Sequence, residues 1–131
     1  MGNTTTAQEV IDFFESSFRD KVVLPVELEM LWLKKAIGRY SLELEPLEYD
    51  DNIGQFAYTI DTYVIDTLAS FMRQYYQERE VSKVNKQISI VGKDLSIDGQ
   101  GHGKTAAKNE LEYYERLNHD LVFHQKPTAY S

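Results

Sequence analysis

Cysteine is absent from the 131 residues, which excludes disulfides and thiolate metal sites and leaves carboxylates and three histidines as metal ligands. No apolar stretch approaches the ~20 residues that a membrane span requires. The opening MGNTTTAQEV lacks a basic segment followed by an apolar run, so no secretory signal is expected and a cytoplasm is the default compartment. Positive charge is also short, with 14 bases against 21 acids for a net charge of −7. Most of that deficit lies in residues 1–58, where 11 acids face 5 bases. A chain so charged cannot grip a phosphate backbone by bulk electrostatics. At this length one domain with a real core is expected.

What is present is helical periodicity. Thr59 to Lys86 runs without Gly or Pro, and Ile60, Val64, Leu68, Phe71 and Tyr75 recur at steps of four, four, three and four, with Tyr63, Thr67 and Met72 widening the stripe. A helix of that length spans ~40 Å. Beyond Tyr76 it turns polar, so its first half reads as core and its second as surface. Ahead of it, Thr6-Ala7-Gln8-Glu9 forms a capping box for a first helix that presents Ala7, Val10, Ile11, Phe14 and Phe18 on one face. Pro25 suits the first position of a second helix, where Glu27 and Glu29 complement the dipole. Its stripe is Val26, Met30, Leu33, Ile37, Tyr40 and Leu44, ending before Pro46. Leu28, Leu31 and Trp32 lie off the stripe, so this helix is either central or offers a face to another chain.

The acidic Leu47–Gln55 leads to the long helix, and Asp50, Asp51 or Asn52 could cap an early start to it. A calcium loop is disfavoured, since Gln55 stands where the turn needs Gly and Asp61 where a bidentate Glu is usual. After the long helix, Gln87–Val91 and Asp94–Asp98 alternate around Gly92-Lys93, the pattern of a β-hairpin. Residues 99–103 then form a Gly-rich linker, 104–125 a last helix bearing Ala107, Leu111, Tyr114, Leu117 or Asn118, and Leu121 on one side, and 126–131 an extended tail. The expected fold class is therefore mainly α: one domain over 1–131, a small helical bundle over 6–86 with a long central helix, a β-hairpin at 87–98 before the last helix, and a C-terminal tail.

Catalytic signals are weak. Asp98 to Thr105 ends in Gly-Lys-Thr as a phosphate-binding loop does, but Asp98 replaces its opening glycine. Only 26 residues follow, too few for the parallel sheet such a loop needs. His119 and His124, five residues apart, face away from each other on a helix, and His102 is remote from both. No enzyme, metal or cofactor is expected on this basis.

The run Tyr75-Tyr76-Gln77-Glu78-Arg79-Glu80, closing a long helix that follows two shorter ones, resembles the aromatic-Tyr-x-x-Arg-Glu signature of the head–tail connector proteins of tailed bacteriophages and prophages. The likeness covers Thr6 to Val81. The later segments, including VNKQISIVGKDLSIDG and QKPTAYS, resemble small proteins encoded among prophage structural genes. The resemblance implies a non-enzymatic virion protein of the neck, assembled in the bacterial cytoplasm as a homo-oligomeric ring of about twelve copies. Portal would lie on one side and a stopper or tail-completion protein on the other, with DNA passing through the channel and no membrane involved. It assigns Tyr75, Tyr76, Arg79 and Glu80 to structural or intersubunit contacts. Ile88, Ile90, Leu95, Ile97, Lys126, Pro127 and Tyr130 become candidate docking residues. Arg79 is expected to lie over the ring of Tyr75 or Tyr76 and to find its acid in the Glu43–Asp51 segment, since Glu78 and Glu80 sit a single step away on either side. The rival reading is a small soluble helical regulatory or binding protein acting as monomer or dimer.

Overall fold

The computed structural model describes residues 4–20, 22–91 and 98–126, the side chains of 87–91 and 98–104 excepted. Four helices carry the fold: α1 (Ala7–Ser16), α2 (Val26–Glu43), α3 (Thr62–Val91) and α4 (Asp98–Gln125), with strands β1 (Tyr49–Asp50) and β2 (Gln55–Phe56) between α2 and α3. As expected, the protein is mainly α around a long central helix. α3 is 30 residues long, ~45 Å at the usual rise, and every other helix packs on it.

α1 starts where its capping box predicts. The Thr6 hydroxyl accepts from the Glu9 amide at 3.3 Å, and the Thr6 amide donates to the Glu9 carboxylate at 2.6 Å. Pro25 takes the N-cap of α2, one residue earlier than expected, and its carbonyl accepts from the amides of Leu28 and Glu29. The stripe of α2 goes inward from Met30 onward, and Trp32 joins the core as well. α2 is thus apolar on two buried rows, while Leu31 remains outside.

A hairpin does precede the last helix, but not at 87–98. It is made by β1 and β2, antiparallel with Tyr49 opposite Phe56 and Asp50 opposite Gln55. Its turn closes with the Gly54 amide on the Asp50 carbonyl at 2.9 Å, and Gly54 adopts φ +65°, a left-handed conformation that only glycine enters cheaply. Asp50 therefore caps a turn, its carboxylate accepting from the Asn52 amide at 2.9 Å, and does not begin the long helix, which starts at Thr62 with the Asp61 carbonyl accepting from Val64 and Ile65. Such a short hairpin is marginal alone. It is held by the segment before α1: the Phe56 amide donates to the Thr5 carbonyl at 2.9 Å, the Ala7 amide to the Gly54 carbonyl at 2.8 Å, and the Ile60 amide to the buried Thr5 hydroxyl at 2.9 Å.

Residues 87–91 continue α3, so the alternation of Ile88 and Ile90 does not make a strand there. Extending a helix already formed adds one bond per residue, whereas a new hairpin must close its own loop. Residues 92–97, the rest of the expected hairpin, lie outside the described residues. The Gly-rich 99–103 segment falls within α4, which begins at Asp98, six residues before the expected start. It is therefore not in the open conformation of a phosphate-binding loop. No helix among the described residues is long and apolar enough to cross a membrane.

The core is built from α1, α2 and the first half of α3, with Phe14, Leu33, Leu68, Phe71 and Met72 wholly buried and Phe56 of β2 closing one end. α4 adds Val122 and a fully buried Asn118. Its seam with α3 is consequently polar. The Asn118 amide donates to the Ser70 carbonyl at 3.1 Å and to Gln74 Oε1 at 2.8 Å, and its oxygen accepts from the Ser70 hydroxyl. A second set joins Gln125 Nε2 to the Thr67 hydroxyl at 2.8 Å and the Tyr40 hydroxyl to Gln125 Oε1 at 3.1 Å. These bonds are what allows polar atoms to be buried there at all.

Leu68→Ala is expected to destabilise the protein by ~2–5 kcal/mol in urea denaturation, while Leu42→Ala, at a residue 88% exposed, should change it by less than ~0.5 kcal/mol. Equal effects would mean that the faces of α2 and α3 are misassigned.

Candidate functional site

The middle of α3 passes through a junction of aromatic rings and cations. Phe14 and Phe18 follow one another along α1 and its exit, their rings edge-on at 5.2 Å. Phe18 meets Tyr76 edge-on at 4.7 Å, and Trp32 of α2 reaches both Phe14 and Tyr76 at 6.1 and 6.3 Å. Into this cluster α3 inserts Arg73, 8% exposed, whose guanidinium lies 4.1 Å from the Phe18 ring centroid, 5.0 Å from that of Tyr76 and 4.9 Å from that of Tyr114 on α4. Arg73 Nη1 donates to Gln77 one turn on, Nη2 lies 3.7 Å from the Glu110 carboxylate, and Nε is sealed off without a hydrogen-bond partner. The rings thus take the place of part of the cation's hydration. One arginine ties together the exit of α1, the middle of α3 and the side of α4.

The arginine in the aromatic cage is therefore Arg73, where sequence reasoning selected Arg79. Arg79 lies further along α3, its side chain 39% exposed, with Nη1 3.9 Å from Glu80, the neighbour that reasoning had set aside. Two acids of Glu43–Asp51 pair with other cations, Glu43 with Arg39 at 3.1 Å and Asp51 with Lys34 at 3.3 Å. Tyr76 belongs to the junction. Burial raises the pKa of its hydroxyl above the ordinary value, Glu80 adds to that, and Arg73 opposes it. Tyr75 faces α2, with Lys35 Nζ 4.5 Å from its ring centroid, and its hydroxyl is raised by burial against the lowering pull of Arg39. Glu80 also meets Lys83 at 3.4 Å. The four residues of the motif thus divide, two packing between helices and two forming a half-buried ion cluster with Lys83.

Of the expected docking residues, Ile88 and Ile90 fall in the last turns of α3 and Lys126 is exposed just past α4, its amide bonded to the Val122 carbonyl at 3.1 Å. Leu95, Ile97, Pro127 and Tyr130 lie outside the described residues. His119 is beside Asp120 at 3.8 Å, and among the described residues no group of three or more His, Cys, Asp or Glu could hold a metal.

A second feature is a carboxyl pair between α1 and α2. Glu29, expected as a surface complement to the α2 dipole, is only 4% exposed and faces Glu15 of α1. Burial, then the hydrogen bond and the charge of Glu15, push its pKa up to about 7. The helix N-terminus favours the anion, yet desolvation and the second carboxylate prevail. Its Oε2 has no hydrogen-bond partner. The pair lines a cavity of about 300 Å³ whose other walls are Val22, Val23, Leu24 and Val26. Only the position of Glu29 in the first turn was legible beforehand, because its burial depends on how α1 crosses α2.

Comparison with protein-family models, curated proteins and solved structures found no match for this chain.

Two outcomes follow from these geometries. Arg73→Lys is expected to cost ~2 kcal/mol in urea denaturation, since an ammonium cannot stack among three rings, whereas Arg79→Lys should cost less than ~0.5 kcal/mol. The reverse order would remove Arg73 from the centre of the junction. For Glu29, a raised folded-state value means that its protonated form supports the fold: that contribution is complete below the ordinary carboxylate range and is lost as pH rises through about 7. Glu29→Gln should therefore match the wild type near pH 4 and exceed it at pH 8 by up to ~3 kcal/mol. A difference between the two proteins that does not vary with pH would show that Glu29 is ionised throughout.

Proposed function

We propose that the protein is a head–tail connector of a tailed bacteriophage or prophage, a structural subunit that joins the portal vertex to the neck as a ring of about twelve copies and lines the DNA channel. The observation that carries this reading is the outward face of α2. Leu31 and Leu42, 53% and 88% exposed, lie eleven residues apart on one side of the helix, and Gly38 between them has open space where a side chain would project. That is an apolar strip with a low centre, suited to receiving a ridge from another subunit. A ring joins two different surfaces at each contact. α4 exposes a separate apolar surface through Tyr113 and Phe123.

Other features agree. Asn118 and Gln125 find their hydrogen-bond partners within the chain and the core packs without Leu31 or Leu42, so these exposed apolar side chains are not needed for folding. Arg79 keeps donors for an intersubunit contact, because its pairing with Glu80 is at the outer limit of ion-pair distance. The net negative charge of residues 1–58 suits a wall past which DNA slides without sticking. On this reading the protein acts in the virion neck, with portal and a stopper as partners, and performs no catalysis.

Mass photometry of the purified chain, alone and with portal, tests the proposal. Rings, or recruitment onto portal, are expected; Leu31→Ser with Leu42→Ser should abolish them and leave the melting temperature unchanged. A monomer or dimer that ignores portal would favour a small helical binding protein.

A further inference from the structure

The cavity between α1 and α2 has a chemistry that the connector reading does not use. It is lined by Glu29, more than nine-tenths buried, with one carboxylate oxygen lacking any hydrogen-bond partner, and by the exposed Glu15; its other walls among the described residues are aliphatic. Among the described residues no cation lies within ion-pair distance of either carboxyl, and the pair is held by the hydrogen bond between Glu29 and Glu15. A divalent metal is a poor answer, since Ca²⁺ takes six to eight oxygens and this cavity offers two carboxylates among four aliphatic side chains. What fits is a cation carried on an apolar stem.

We infer that the Glu15–Glu29 cavity is a socket for an arginine side chain presented by a partner protein. The guanidinium would lie between the two carboxylates, its fork supplying donors to both once Glu29 turns its free oxygen into the cavity. The stem would run along Val22, Leu24 and Val26, as long basic side chains do over apolar surface. Arginine is favoured over lysine because its cation sheds water more readily and bridges two acceptors in one plane. The source is a protein surface and not free arginine. Val23 and Val26 stand at the rim, 85% and 65% exposed, where another chain would cover them, and the α-carboxylate of a free amino acid would meet the acids of this region. The inference does not depend on the identity of the assembly, and the acid-rich first half of the chain would steer a basic partner toward the socket.

The test is titration of the full chain with Nα-acetyl-arginine methylamide, read by the NMR shifts of the Val22 and Val26 methyl groups against equal NaCl. Saturable shifts are expected, weakened roughly tenfold by Glu29→Gln and unaffected by Glu27→Gln, an exposed acid in the same turn that controls for bulk charge. Glu15→Gln, at an exposed position, gives the same loss without touching the buried site and serves should Glu29→Gln fold poorly. The corresponding lysine amide and free arginine should each bind more weakly. The inference is overturned if the shifts do not saturate, if Glu29→Gln and Glu27→Gln behave alike, if lysine amide or free arginine binds as well, or if CaCl₂ reproduces the same shifts.

Discussion

The burial of one guanidinium among three aromatic rings constrains more of this fold than any other contact. Arg73 is buried where an apolar residue would be simplest, between the exit of α1 and α4, on a side of α3 turned away from Leu68 and Phe71. Removing its charge from water has a cost that only close, well-oriented partners can offset. Those partners come from three directions: Phe18 fixes the exit of α1, Tyr76 and Gln77 belong to α3, and Tyr114 and Glu110 to α4. Because the rings also pack on Phe14 and Trp32, a displacement of any helix would disturb the cation as well as the core.

The two sides of α3 are held by different forces. Toward α1 and α2 the contact is aliphatic and aromatic and has the close packing of an ordinary core. Toward α4 it is a row of amides and hydroxyls, with Asn118 at the centre of a network that reaches Arg39 and Glu43 through Gln74. Hydrogen bonds of this kind specify register closely, since a shift of one residue would orphan several buried donors. Outside that closed interior lie Leu31, Leu42, Ile53 and Phe123, apolar groups that the single chain leaves in water. In the proposed ring these groups would be covered by neighbouring subunits.

Much of the helical frame was legible from local pattern. The capping box at Thr6, the stripe from Ile60 to Tyr75 and the inward row of α2 each rest on residues within a few turns of one another. What was not legible depended on distant partners. The β1–β2 hairpin has strands of two residues and exists because Thr5 and Thr6 lie against it, some fifty positions away in sequence. Residues 87–91 alternate as a strand would, but they are continuous with a helix already running. Arg79 was selected because it belongs to the Tyr-x-x-Arg-Glu motif, which does not include Arg73. Local pattern does not distinguish the two, because Arg73 shares its side of α3 with Ser70, Tyr76 and Gln77, and its burial comes from the rings of Phe18 and Tyr114 on other elements. Glu29 read as a surface acid because one-dimensional pattern carries no information about the helix that crosses above it.

The polar seam under α4 also sets how the molecule responds to temperature. Separating α4 from α3 exposes buried amides and hydroxyls together with Val122, and polar exposure lowers the heat capacity where apolar exposure raises it. Each polar atom in that seam thus offsets part of the positive heat-capacity change that the apolar α1–α2–α3 core contributes without such an offset. On cooling, the hydrophobic core loses part of its driving force and the seam does not. The share of the fold's stability that the polar seam supplies accordingly grows as the temperature falls.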